Sequence, residues 1–240
     1  MPKHFFFDLD KTLTVSRSPM ALPHQEIFDH LCNTRDVVVV TGGTVEQIRE
    51  QVTPRFEGKY YALAQSGNHA IDISGAELWR EAINEAQSDA VHAFIEKLKR
   101  HFDLTVKDEN DLVEHRGAQI SYSVIGFHED VEKKYAFDPD EKKRAAALAM
   151  LSEDVKRLND VGIEVTPAGT TTYNFILLGK HKGYNVKRLA DLKEWNQDDC
   201  VYVGDALFPG GNDESVIGVL PTKAVTNPED TFQYLAGLLV

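Results

Sequence analysis

Two aspartates two residues apart, Asp8 and Asp10, follow directly on the apolar run Phe5-Phe6-Phe7. An acid pair of this spacing is common in acidic chains and, alone, reads as two loop carboxylates. Its placement says more. A short apolar run ending in acid is the pattern of a buried parallel strand, and residues two apart on a strand end point the same way. Both carboxylates then face one pocket at the carboxyl edge of a sheet, where open α/β folds bind ligands. Three further segments repeat that placement. Thr41-Gly42-Gly43 follows the tetra-valine run 37–40, offering a hydroxyl and free backbone N–H groups at a helix start, a ready anion site. Lys182 directly precedes a helical pattern. Asp205 ends Val201-Tyr202-Val203-Gly204, and a glycine-rich loop then presents Asn212 and Asp213 together. Carboxylates and carbonyls are hard oxygen ligands, the set that suits Mg²⁺.

The elements that must position these groups alternate. The pattern predicts strands at 5–7, 37–40 and 60–64, with helices at 23–33 and from Thr44 onward. Thr44-Val45-Glu46-Gln47 reads as a capping box. The middle of the chain changes character. A helix over 89–102, strands at 112–115 and 119–125, a long helix over 140–159 and strands at 163–166 and 171–178 describe a small antiparallel α/β layer. Alternation returns with a helix at 184–195, strands at 200–203 and 223–226, and a last helix opened by Asn227-Pro228. The expected fold is a doubly wound, parallel-sheet, Rossmann-like α/β core from 1–78 and 181–240, interrupted by an α/β insert over 79–180.

Composition bounds the function. With 26 Lys+Arg against 38 Asp+Glu, the 240-residue chain carries a formal charge of −12. That disfavours nucleic acid and anionic membranes as bulk partners, while leaving room for a local positive pocket. Lys142, Lys143, Arg144, Lys156 and Arg157 accordingly read as a solvated helix face. Cys32 and Cys200 lie beside apolar residues and read as buried thiols. The N-terminal apolar run is too short for a signal peptide and no 18-residue apolar stretch occurs, so a cytoplasmic protein is expected. The nine histidines show no HxH or HxxxH metal pattern.

In this order, the four segments resemble the haloacid dehalogenase (HAD) superfamily of phosphotransferases. The Pro-Gly-Gly-Asn-Asp run at 209–213 resembles the phosphomannomutase branch, which carries the larger α/β cap. The resemblance implies Asp8 as nucleophile, forming an aspartyl phosphate, and Asp10 as general acid/base. It implies Mg²⁺ held by Asp8, the Asp10 carbonyl and Asp205, with Asn212 and Asp213 supporting that side. Thr41 and the Gly42 N–H would bind the phosphoryl oxygens, and Lys182 would neutralise the transferring charge. Arg17 lies in Thr14-Val15-Ser16-Arg17, similar to the family's Thr-Pro-Ala-Arg, whose arginine reaches the sugar phosphate.

The insert departs from the family pattern. Arg116 matches the first cap arginine, but Phe127 stands where Ser-Pro-Ile-Gly-Arg places the second, and the third falls on Lys134. Lys133 and Arg144 are neighbouring cations that could take over. Thr172-Tyr173-Asn174 replaces Ser-Phe-Asp, and Lys11 replaces a glycine after Asp10. Losing a guanidinium–phosphate pair weakens the grip on a bisphosphate. The expected activity is therefore a Mg²⁺-dependent phosphohydrolase of small phosphate esters, sugar phosphates foremost. Phosphomannomutase is the alternative, and a non-catalytic phospho-metabolite binder is a third and weaker one. The partner would be a small phosphorylated metabolite, acted on by a monomer or a homodimer formed through the cap.

Overall fold

A computed structural model describes residues 1–238. The chain divides into two units, Met1–Arg80 with Lys180–Val240, and Glu81–Gly179. In the first, β1 (His4–Asp8) lies at the heart of a seven-stranded sheet. It pairs in parallel with β2 (Asp36–Val40) on one side and β10 (Cys200–Gly204) on the other. Beyond these lie β3 (Tyr61–Ala64) and β11 (Thr222–Ala224), also parallel. The pleat divides the apolar runs between two layers. Phe5, Phe7, Val37 and Val39 pack with Phe28 and Leu31 of α1 (Leu22–Thr34), Ile48 of α2 (Val45–Val52) and Phe232 of α8 (Pro228–Leu238). Phe6, Val38, Val40 and Tyr202 pack on the other side with Val186 and Leu189 of α7 (Lys182–Leu192). Covered faces on both sides explain why these strands are continuous apolar runs. The doubly wound core expected from alternation is present.

The sheet extends further than its apolar runs. β4 (His69–Ile71) and β5 (Glu77–Arg80) add an antiparallel ribbon beyond β3. Strands of three and four residues with a half-exposed pattern leave no periodic signal.

The second unit is a four-stranded antiparallel sheet in the order β6-β7-β9-β8. Its strands are β6 (Val113–His115), β7 (Gln119–Ser123), β8 (Ile163–Ala168) and β9 (Thr172–Leu177). Ile120, Tyr122, Tyr173 and Phe175 turn one face to Val91, Phe94, Ile95 and Leu98 of α3 (Glu85–Phe102). α3 begins with a closed capping box between Asn84 and Gln87. The helix expected over 140–159 is two helices, α5 (Lys142–Met150) and α6 (Ser152–Asp160), parted at Leu151. Leu148, Leu151, Val155 and Leu158, spaced three and four apart, all pack on the same apolar cluster across the break. A further helix, α4 (Val131–Phe137), precedes them.

The solvated basic face fails at one residue. Arg144 is 0% exposed. Its Nε donates to Asp138 Oδ2 at 2.9 Å, and its terminal nitrogens donate to the carbonyls of Ala168, Thr172 and Gly169. With its donors committed, Arg144 is a structural bolt and not a spare phosphate ligand. Among the described residues, no helix is long and apolar enough to cross a membrane.

Candidate active site

Four chain segments deliver the acidic cluster. Asp8 ends β1, Lys182 begins α7, Asp205 follows β10, and Asp213 closes the loop behind it. Asp8 is 4% exposed, Lys182 2% and Asp213 0%. Lys182 Nζ donates to Asp8 Oδ1 at 2.5 Å and to Asp213 Oδ1 at 2.7 Å. Tyr202 Oη donates to the same Asp213 oxygen at 2.6 Å, and the Ala206 N–H reaches Asp213 Oδ2 at 3.3 Å. Gly204 makes room for this carboxylate, since a Cβ there would lie 2.5 Å from Asp213 Oδ2.

Asp8, Asp205 and Asp213 each offer an oxygen within 4.8 Å of the others. One ammonium against three carboxylates leaves negative charge in a poorly hydrated place. Burial, then the charge of Asp213, pushes the Asp8 carboxyl up to about 7, against the pull of Lys182. Asp205 is also raised, by burial and by Asp213. Burial opposes the charge on Lys182, but Asp8 and Asp213 more than compensate and hold its pKa above the ordinary value. Tyr202 stays protonated, its pKa driven well upward by burial and by Asp213. An all-oxygen donor set with uncompensated negative charge fits a hard divalent cation such as Mg²⁺. Asn212 is exposed and Asp213 buried, side by side in the loop that follows Asp205.

Asp10 is held separately. Its Oδ1 accepts the Arg17 backbone N–H at 2.9 Å and Gln51 Nε2 at 3.2 Å, while Oδ2 accepts Gln47 Nε2 at 3.1 Å. The expected capping box is only half formed for this reason. Thr44 caps the Gln47 N–H at 3.2 Å, but the Gln47 side chain turns to Asp10 instead of closing back on Thr44. Gly43 permits that turn, because a Cβ there would sit 1.8 Å from Gln47 Oε1. Arg17 adopts a left-handed backbone (φ 54) and is itself exposed. Thr41 is buried, with its Oγ1 accepting the Gly43 N–H at 3.1 Å. Gly42 faces open space, which leaves its backbone approachable.

In the second unit the candidate cations are already engaged. Arg116 donates through Nε to Glu114 at 3.0 Å and again through a terminal nitrogen. Lys134 Nζ donates to the Phe127 carbonyl at 2.8 Å. Thr172 and Asn174 lie on β9, where Asn174 Oδ1 accepts the Ser121 hydroxyl at 2.9 Å and Gln119 Nε2 donates to Ser121 Oγ at 2.8 Å. Sequence reasoning missed Tyr202, Gln47, Gln51, Gln119 and Ser121. Alternation along β7 from an apolar Ile120 and Tyr122 carried a signal for the last two; nothing in sequence marked the others.

A model of the eukaryotic phosphomannomutase family matches residues 24–240. The phosphomannomutase of Encephalitozoon cuniculi is 23% identical over 244 residues, covering 95% of this chain and 90% of that protein. Phosphomannomutase 2 of Dictyostelium discoideum is 24% identical over 239 residues, covering 95% and 93%. Among solved structures, SMU.1108c from Streptococcus mutans superposes with a TM-score of 0.71 at 15% identity, covering 100% of this chain and 99% of that one. A haloacid dehalogenase-like hydrolase from Bacteroides thetaiotaomicron gives 0.64 at 12% identity, covering 99% and 100%. These structural likenesses concern the fold.

Proposed function

The chain belongs to the eukaryotic phosphomannomutase family, and from that premise we propose that it is a Mg²⁺-dependent phosphosugar phosphotransferase interconverting mannose 1-phosphate and mannose 6-phosphate. The observation that carries the reading is the buried Asp8 at a strand end, bridged by Lys182 to Asp213 beside Asp205. Family and relatives along 95% of the chain support the mutase over the hydrolase expected from the insert's substitutions.

In this reading Asp8 attacks phosphorus through the oxygen that Lys182 does not hold. The new bond joins that oxygen to phosphorus while the phosphorus–sugar oxygen bond breaks, and Asp10 gives its proton to the departing oxygen. In the second half, Asp10 takes the proton of the incoming hydroxyl, the new oxygen–phosphorus bond forms, and the acyl phosphate bond breaks to return the Asp8 carboxylate. Asp8, the Asp10 carbonyl, Asp205 and Asp213 would hold Mg²⁺, which when bound neutralises the meeting of an anionic nucleophile with an anionic phosphate. Lys182 spreads the charge of both carboxylates, and Thr41 with the Gly42 N–H orients the phosphoryl oxygens. Gln47, Gln51 and the Arg17 N–H fix the direction of the Asp10 carboxylate. Arg17, Arg116, Lys134, Thr172 and Asn174 are the sugar-phosphate contacts of this reading.

Hydrolysis is the second reading, favoured by one observation. Arg116 is bound to Glu114, Arg144 is enclosed, and Phe127 is apolar, so the insert offers little free guanidinium for a distal phosphate. With mannose 1-phosphate and glucose 1,6-bisphosphate, the mutase produces mannose 6-phosphate faster than free phosphate, and Asp8→Asn abolishes both. Free phosphate outpacing isomer would establish the hydrolase. Full turnover by Asp8→Asn would overturn the aspartyl-phosphate chemistry altogether.

A further inference from the structure

Far along the chain from the acidic cluster, the second unit joins two metal-competent side chains from different elements. His92 lies on α3, and His115 is the last residue of β6. Their Nε2 atoms are 3.2 Å apart. The rings are inclined by 30° with centroids 5.1 Å apart, so the edges that bear Nε2 converge. Both residues are exposed, so an ion can reach them. Among the described residues no carboxylate, cysteine or further histidine completes a three-ligand group there. Burial and the neighbouring His92 hold the His115 imidazole below its ordinary pKa, which favours the neutral ring with one nitrogen lone pair to offer.

The separation has a specific meaning for coordination. Two nitrogens each about 2.0–2.1 Å from a common ion, and separated as these are, subtend roughly 100° at the ion. That lies between the octahedral and tetrahedral angles. Imidazole nitrogens suit Zn²⁺, Cu²⁺ and Ni²⁺ and not the hard cation that fits the carboxylates. An imidazole–imidazole hydrogen bond also brings two rings to this distance, but it engages one lone pair, whereas a metal engages both.

We propose that His92 and His115 form a bidentate site for a borderline transition-metal dication of the Zn²⁺, Ni²⁺ or Cu²⁺ class, with water completing its coordination. β6 is the edge strand of its sheet, held by β7 alone, and it runs directly into Arg116. A bound ion ties this edge to α3 by a link that neither backbone pairing nor the apolar cluster supplies. The site stands independently of the phosphotransfer reading.

The test uses the full chain with Mg²⁺ in large excess, so that the carboxylates are occupied. Cu²⁺ is followed by electron paramagnetic resonance and Zn²⁺ by calorimetry and thermal melting. One equivalent is expected to bind, with two nitrogen ligands in the copper spectrum and a higher Tm with zinc. His92→Ala and His115→Ala should each weaken affinity at least tenfold and remove a nitrogen, while far-UV circular dichroism and the metal-free Tm confirm folding. Binding should weaken on acidification, because protons compete with the metal for imidazole nitrogens. A wild-type copper spectrum without two nitrogens, or an affinity unmoved in either variant, overturns the proposal and leaves the pair a hydrogen bond.

Discussion

In the first unit, Lys182 meets Asp8 and Asp213 while Asp205 stands close by, within the field of Lys11 and Lys182. In the second, Arg144 donates to Asp138, has the Glu141 carboxylate 4.0 Å away, and spends its other donors on three main-chain carbonyls. Both cations are buried to 2% or less. The local charge sums differ in sign of purpose. The Arg144 site is balanced and has no appetite for anything further. In the Lys182 site burial, then the charge of Asp213, raises Asp8 to about 7 despite the lysine, and the cluster is receptive to a further cation. Burial alone therefore does not mark a functional charge; an unbalanced buried group does.

The comparison can be broken most forcefully at Lys182. Lys182→Met leaves Asp8 and Asp213 facing each other, and phosphotransfer should fall by about 10²–10³-fold, as for removal of a preorganised donor at a transition state. Steady-state kinetics at saturating Mg²⁺ checks this, and a loss under tenfold would place Lys182 with Arg144 as a structural cation. Arg144→Met, by contrast, strands Asp138 in a dry site, and loss of one partner of a buried pair costs about 3–5 kcal/mol. Denaturant unfolding should show that loss, while Mg²⁺ affinity of the folded variant stays within about twofold of wild type, the accuracy usual for sites that share no partner. A changed metal affinity would show that the two charge sites are coupled.

The smallest effect sharpens the contrast through pH. Asp8 has a raised folded-state pKa, so the folded chain binds its proton more tightly than the unfolded chain. Between about pH 4 and 7 this group makes stability fall as pH rises. Thermal melts of the metal-free protein across that range should therefore decline more steeply in wild type than in Asp8→Asn, and Mg²⁺ should remove the difference. Equal slopes in wild type and variant would mean that Lys182 already balances the site.

Much of the core site was readable because each acid followed a buried apolar run. Asp8, Asp205 and the Asp213 loop are placed by strand ends, and strand ends are what hydrophobic patterning marks best. Side-chain destinations left no such trace. Gln47 read as a capping residue and is an Asp10 ligand; Tyr202 read as packing in an apolar strand and holds Asp213. Arg144 read as solvated because three cations in a row look like a helix surface, yet its carbonyl partners lie 24 to 28 residues away. The His92–His115 pair escaped for the same reason, since a helix and an edge strand 23 residues apart share no local motif. The three-residue β4 left no trace for a different one, being too short to have a period.

The position of β1 bears on how the chain comes to fold. His4 lies in register with Cys200, so the pairing of β1 with β10 waits until most of the chain exists. The second unit has no such wait, for Glu81–Gly179 is one uninterrupted stretch whose strands pair among themselves. During vectorial synthesis the inserted unit can close its apolar cluster first, while Phe5, Phe6 and Phe7 remain without one of their two neighbouring strands. The strand that bears Asp8 thus stays an open edge until β10 is made, and nascent-chain crowding at that edge is the hazard this topology carries.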